Sequence, residues 1–289
     1  MSKTIPSGLA AHQALGTTTQ AVLLKITRTD AAVYAFTSAS ADITIDAVTY
    51  GAGPGLDISG IVLSAGLAVD NLELTTLDDG STFTHAEVLT GRWRNAAFEI
   101  SRVNYLTPTD GVEPIMSGTI GDVRLQHGSI VAELRGLQQY LQQQIGAVTT
   151  KTCRARLGDT LCAKNLTAFT FAATVTGVTS NQVFAASALT QDDDYFGNGI
   201  LTWTGGNNDG LEALVKTHTT GGNITLMLPM LLTVQVGDTL SIVAGCRKRH
   251  ERSTANPAGV SDCFDKFDNV LNFQGERLLP GIDALTKPV

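Results

Sequence analysis

A mainly β protein of two packed units is what this sequence predicts, and three observations carry that expectation. Charged residues are scarce at 16%, while apolar residues make up 43% of the chain and glycine occurs 29 times. That balance favours strands and turns over long helices. Apolar and polar residues alternate through several short segments bounded by Gly, Asp and Asn, the period-2 signature of half-buried strands. The length of 289 residues exceeds the usual size of one compact domain, so two units are expected, one interrupting the other.

Taken in order, the chain opens with a short helix expected around Leu9 to Leu15. The strand-like runs QAVLLKITRTD, AAVYAFTS, ADITIDAVTYGAG and GIVLSAGLAVDNLELTTLDDG follow. Ile43, Ile45, Val48 and Tyr50 alternate, and Gly51 to Gly55 and Asp78 to Gly80 read as turns. GRWRNAAFEISRVNYLTP and EPIMSGTIGDVRLQHGSIVAELRG extend this antiparallel β-domain. The pattern then changes. In LQQYLQQQIG, Leu137, Tyr140, Leu141 and Ile145 fall at helical spacing, and Gly146 stands where a helix would end. After TKTCRARLGDTLC the β pattern resumes through LSIVAG, and ITLMLPMLLTVQV reads as two buried strands bent at Pro229. The fold expected is an N-terminal antiparallel β-domain with a short helix over 1–150, an inserted β-barrel-like domain over 166–243, and a small four-cysteine subdomain made of 151–165 and 244–289.

Composition also excludes. A formal net charge of -7 gives no overall footprint for phosphate, so specific nucleic-acid recognition is not expected. The N-terminal MSKTIPSGLAAHQALGTTTQ lacks the continuous apolar core of a leader. The most apolar run is too short to span a bilayer, so no membrane span is expected.

Four cysteines, Cys153, Cys162, Cys246 and Cys263, bracket the second β block in the pattern C-x8-C, 83 residues, C-x16-C. Anything that joins all four brings the ends of that block together. The spacing matches neither the tight knuckles of zinc ribbons nor the common ferredoxin runs. Buried reduced thiols, two disulfides, or one disulfide with spare thiols all stay open. Cys153 lies beside Arg154 and Arg156, and Cys246 precedes Arg247, Lys248, Arg249 and Arg252. Cationic neighbours are expected to favour the thiolate that metals bind, whereas the bland reading of that run is a solvated loop.

These residues resemble a known family. CRARLGDTLC, FGNGILTWTGGNNDG with the later His218, LMLPM, VGDTLSIVAGC and CFDKFDNVLNFQGERLLPGID occur in the order found in tail-tip, or baseplate, hub proteins of long-tailed bacteriophages and gene transfer agents. The tail tip protein L of lambda-like phages is a distant member. In the N-terminal half, ITIDAVTYGAG, DNLELTTLDDG, GRWRNAAFEISRVNY, SGTIGDV and AELRGLQQYLQQ agree as well. The resemblance implies a structural virion protein, made in the host cytoplasm and placed in the tail tip between the distal tail protein ring and a central tip or fibre protein. It implies a homotrimer. It also implies a 4Fe–4S cluster held by Cys153, Cys162, Cys246 and Cys263, with zinc or no metal as the alternatives. The sixteen-residue spacing before Cys263, containing STANPAGVSD, departs from the family pattern.

Two other classes compete. A cell-wall-degrading enzyme would need a catalytic constellation, but His12, His85, His127, His218 and His250 are scattered, with no H-E-x-x-H or G-x-S-x-G. His218 reads as a hydrogen-bonded structural histidine, QDDDYFGNG as a solvated turn, and GTIGDV and TGGNNDG as hairpin turns. No enzymatic activity is expected. A peripheral receptor-binding protein would expose aromatics such as Trp203, Tyr195 and Phe196, but Phe196 and Trp203 are expected to pack the second β block.

Overall fold

Alternating apolar residues decide which face of each strand is buried, and in the computed structural model they assemble two antiparallel cores. The structure describes residues 4–52, 57–58, 71–77, 83–143, 145–250, 262–276 and 278–279. The chain forms two compact units, Met1–Ile145 and Gly146–Val289.

The first unit begins with helix α1 (Ser7–Gln13), where the sequence places one, with Leu9 buried. Nine strands follow: β1 (Gln20–Thr27), β2 (Val33–Thr37), β3 (Ile43–Ile45), β4 (Val48–Ala52), β5 (Asp57–Ile58), β6 (Asn71–Leu77), β7 (Ala97–Asn104), β8 (Val112–Gln126) and β9 (Ser129–Gly136). They lie in the order β3-β4-β2-β1-β7-β8-β9-β6-β5. Neighbours are antiparallel except β2 and β4, which run parallel. One face of the sheet carries Leu24, Ile26, Leu72, Leu74, Phe98, Ile100 and Leu134 into a core closed by Phe83, Val88 and Trp93. The other face buries Ala21, Leu23, Ile43 and Val103.

A second short helix, α2 (His85–Leu89), was not legible in the sequence. It is capped by Thr84, whose hydroxyl accepts from Glu87 N at 3.3 Å. Its Glu87 pairs with the buried Arg28 at 2.7 Å, and Arg28 also binds Asp30. The Arg28 guanidinium lies over Tyr34 and Trp93, 5.6 and 5.3 Å from their ring centroids. A buried cation is tolerated here because two carboxylates and two aromatic faces replace its water.

The second unit holds β10 (Thr170–Thr174), β11 (Gly177–Val178), β12 (Val183–Ala185), β13 (Ile200–Trp203), β14 (Glu212–His218), β15 (Asn223–Leu226) and β16 (Thr239–Val243). The order is β10-β16-β13-β14-β15-β12-β11, and among the described residues no ladder joins β10 to β11. Phe184, Phe196, Leu201, Trp203, Val215, Ile224 and Ile242 form its core.

Three local expectations are corrected. The helix expected over 137–145 is a 3-10 turn over Leu137–Gln142, and Leu137, Tyr140, Leu141 and Ile145 are exposed. A six-residue segment starting from Gly136 without a side-chain cap cannot hold an α-helix by propensity alone. In ITLMLPMLLTVQV only the opening Ile224, Thr225 and Leu226 are strand, the end of β15. Beyond it, amide side chains take the backbone that a ladder would use: Asn181 Nδ2 donates to Met230 O at 3.3 Å, Asn208 Nδ2 to Leu232 O at 3.2 Å, and Asn207 Nδ2 to Thr233 O at 3.3 Å. Leu228, Leu231 and Val236 are left exposed. GTIGDV is no hairpin turn but the middle of β8, at a bulge between Ile120 and Val123. The strand expected over 60–70 and the turn signals at Gly53, Gly55 and Asp78 to Gly80 lie outside the described residues, while Gly51, also expected in a turn, belongs to β4.

Candidate metal centre

All four cysteine side chains line one cavity of ≈ 20 Å³, together with Ala155, Leu157, Lys248, Phe267, Asn269 and Asn272. No disulfide forms among them. Among the described residues, no three His, Cys, Asp or Glu side chains converge closely enough to chelate a single ion.

Each thiol is delivered by a distinct local device. Between Cys153 and Cys162 the chain turns at Gly158, whose φ is 81°. The Asp159 carboxylate then accepts from the backbone N–H groups of Arg156 at 2.7 Å, Leu161 at 3.0 Å and Cys162 at 2.7 Å. Those bonds, Cys162 N–H first, hold Asp159 below the usual carboxylate range. Cys153 N donates to Lys248 O at 2.9 Å, and Gln274 N donates to Cys153 Sγ at 3.4 Å, so the segments before and after the β10–β16 sheet are laced together. Arg154 and Glu276 clamp the outer end at 2.7 Å.

Cys246 follows β16 directly after Gly245, which crosses the backbone of Gly197 closely. Cys263 sits on a single π turn, Asp262–Lys266, a geometry that concentrates at functional sites. Asp262 in that turn is buried; it accepts from Arg247 N at 2.5 Å and pairs with Lys266 at 3.1 Å. Lys266 also donates to Tyr195 O at 3.0 Å and Gly245 O at 2.9 Å. Cys263 is thus brought to the same cavity as the other three, whatever the long preceding spacing.

The electrostatics differ from what the basic run suggests. Burial pushes the Cys246 thiol up, and burial with the nearness of the other three thiols pushes Cys263 up to about 11. Three of the neighbouring cations pair elsewhere: Arg154 with Glu276, Arg156 with Glu212 at 3.5 Å, and Arg247 with Asp194. Desolvation wins over sequence adjacency. Arg252 lies outside the described residues.

The residues that shape the site were mostly not singled out in the sequence. Asn269, Asn272 and Lys266 carry no motif. Asp159 carried a usable signal, an Asp just after a Gly in a turn. QDDDYFGNG is more than a solvated turn: Asp193 Oδ1 accepts from Thr220 N at 2.7 Å and from its hydroxyl at 2.8 Å, while Asp194 holds Arg247.

With the geometry in place, comparison decides the family. Residues 6–165, more than half of the chain, match the family model described as "Baseplate hub protein, N-terminal attachment domain". The chain belongs to the phage baseplate hub family. Residues 194–283 of this hub protein match a second model, "Phage conserved hypothetical protein BR0599". Its fold is similar to a chain of a solved structure titled "Virion of native gene transfer agent (GTA) particle", with a TM-score of 0.86, 31% identity, and coverage of 98% of the hub and 96% of that chain. No curated protein matches.

One titration in the second unit is open to test. His218 of the hub is 2% exposed and packs edge-on against Phe196 at 4.8 Å. The carbonyls of Asp192 and Leu189 approach its ring outside hydrogen-bond geometry, so both ring nitrogens lack a partner; the expected hydrogen-bonded histidine is buried without those bonds. Burial lowers its pKa below the ordinary 6.5, although Asp193 and Asp194 oppose the shift. The unfolded chain therefore takes up a proton below about pH 6.5 that the folded chain refuses, and stability falls as pH drops through that window. The slope is at most ~1.4 kcal/mol per pH unit for one such group. In a Trp93→Phe background, urea midpoints followed by Trp203 fluorescence at pH 7.5 and 5.5 should differ more with His218 than with His218→Gln; equal differences would show that His218 does not carry the effect.

Proposed function

We propose that this hub protein is a structural, non-enzymatic component of a phage-type tail tip. Three copies form a ring between the distal tail protein ring and the central tip or fibre protein, and Cys153, Cys162, Cys246 and Cys263 hold a 4Fe–4S cluster that staples the second unit. The observation that carries the reading is the likeness of the whole chain, both units together, to a chain of a virion particle. The division into 1–150, 151–165 with 244–289, and 166–243 goes with it, since the cysteine segments flank the β10–β16 sheet. The chain acts in the virion after synthesis in the host cytoplasm. No helix among the described residues is long and apolar enough to cross a membrane, and a net charge of -7 gives no support for nucleic-acid binding.

The rival readings lack their residues. Receptor binding through Phe196 and Trp203 would need them at the surface, yet they are 0% and 1% exposed. Two of the three carboxylates of the 192–194 turn that could suggest a cation site are engaged, Asp193 by Thr220 and Asp194 by Arg247.

The donor set fits an iron–sulfur group. Four free thiols face one cavity without converging on a point, and amide N–H groups of Gln274 and Asn269 point at two of the sulfurs, as hydrogen bonds around such clusters do. When bound, the cluster supplies covalent iron–sulfur attachments that cross-link the two flanks. The chain's own residues order the thiols beforehand: the Asp159 turn fixes Cys162, the Cys153–Lys248 backbone bond joins the flanks, and Lys266 ties the π turn to Tyr195 and Gly245. All four thiols must release protons on loading, so retention weakens as pH falls. Zinc is the second reading; the thiols would have to draw together to chelate a single ion, and the cavity of ≈ 20 Å³ would have to widen to admit a four-iron group.

Omitting this chain during particle production tests the function. Tails should fail to complete or should lack their tip. Complete tails that merely fail to adsorb would overturn the hub reading in favour of receptor binding.

A further inference from the structure

We infer that Asn269 is the positioning residue of the cysteine cavity, a single residue whose backbone holds Cys263 and whose side-chain amide holds Cys162 and aims an N–H at the Cys162 sulfur. This rests on the reading that the four thiols jointly ligate one group. Four hydrogen bonds place Asn269 between the two flanks of the β10–β16 sheet. Its backbone N donates to Cys263 O at 2.8 Å, and its backbone O accepts from Cys263 Sγ at 3.3 Å. Its side-chain Nδ2 donates to Cys162 O at 2.7 Å and lies 3.3 Å from Cys162 Sγ. No other described residue bonds the thiols of both flanks.

The side chain's orientation is fixed by chemistry. A backbone carbonyl can only accept, so the atom facing Cys162 O at 2.7 Å must be the amide nitrogen. The opposite oxygen, Oδ1, accepts from Asn272 Nδ2 at 2.9 Å, which braces the amide against rotation. The backbone favours the same placement, because the π turn ends at Lys266 and Asp268 adopts φ 45°, a left-handed conformation uncommon outside glycine. That bend presents Asn269 to both cysteines. Aspartate has the same shape but would set oxygen against the Cys162 carbonyl and sulfur, and leucine would leave the carbonyl unpaired.

Partners that orient ligand side chains are worth about 10- to 100-fold in metal affinity, and hydrogen bonds to cluster sulfurs tune the reduction potential. The test uses full-length Asn269→Asp and Asn272→Ala. In the metal-free chain, alkylation of each thiol is followed by peptide mapping over a pH series, so that the rates of the thiolates themselves are compared and the new carboxylate's effect on thiol pKa is removed; Asn269→Asp should speed Cys162 about tenfold or more and Cys263, held by the retained backbone, by less, while Cys153 and Cys246 keep wild-type rates. In the anaerobically loaded chain, iron should be lost to a chelator about 10- to 100-fold more readily, and the midpoint potential should move lower as an N–H···S bond is removed. Asn272→Ala, which removes only the brace, should show the same selective pattern with smaller amplitude, and it decides the matter if Asn269→Asp does not fold. Unchanged rates, or equal acceleration of all four thiols in a folded variant, overturn the inference. If wild type carries zinc or no metal, the cluster reading falls, while the selective alkylation of Cys162 and Cys263 still decides the role of Asn269.

Discussion

Cys263→Ser should abolish the iron and sulfide binding proposed for the four thiols while leaving the metal-free fold close to wild type. Serine is smaller than cysteine by little, and its hydroxyl can still donate to Asn269 O, where the thiol does so at 3.3 Å. The π turn keeps the Lys266–Asp262 pair and the Lys266 bonds to Tyr195 and Gly245. What is lost is the fourth thiolate. Purified without oxygen, wild type should be brown, absorb broadly near ~400 nm, and contain iron and sulfide together, whereas the variant should be colourless. A cross-link closing a loop of this length is worth about 4 to 5 kcal/mol on the chain-entropy scale. For a unit of this size that places the loaded wild type roughly 10 °C above the variant in thermal midpoint. Lowering the pH should strip the metal from wild type, because each ligating thiolate takes up a proton as the metal leaves. Zinc without sulfide, two disulfides in wild type, or iron retained by Cys263→Ser would each defeat the cluster assignment.

Gly245→Ala should prevent the second unit from folding. A Cβ at Gly245 would sit 1.7 Å from Gly197 O and 3.0 Å from Gly199 N. Both are backbone atoms, so no rotamer change relieves the overlap. The same crossing is locked by Gly245 N donating to Tyr195 O at 3.0 Å and by Lys266 donating to Gly245 O at 2.9 Å. Separating the strands there would move Cys246, the next residue, out of the cavity. The expected loss exceeds ~4 kcal/mol, in the range reserved for named packing failures. Gly221→Ala is the control: its nearest neighbour is 3.6 Å away, and its effect should stay within about 0.5 kcal/mol. Soluble yield and urea midpoints compare the two, and a Gly245→Ala protein as stable as the control would contradict this backbone crossing.

Legibility in the sequence followed the range of the interaction. Ile43, Ile45, Val48 and Tyr50 announced β3 and β4 because period-2 alternation is a local property of a pleated strand. The four cysteines announced themselves as candidates by number and by flanking a β block. Their spacing did not tell whether they meet, because the residues that bring them together, Lys248, Lys266 and Asn269, act across gaps that no local pattern encodes.

Glycine marks the same boundary. In TGGNNDG it marks the turn between β13 and β14, as its local pattern predicts. In GTIGDV it sits within β8, because a Cβ at Gly118 would meet Arg135 O at 1.9 Å. One residue type serves two purposes, and only the neighbouring strand distinguishes them. The sequence by itself determined that the protein is mainly β, which strand faces are buried, and which four thiols are available. Tertiary structure alone decided that Leu137, Tyr140 and Leu141 lie exposed, that Arg28 is buried between two carboxylates, and that burial outweighs neighbouring cations at Cys246 and Cys263. The physical reason is that desolvation and close backbone approach depend on what packs against a residue, and chain order does not specify that.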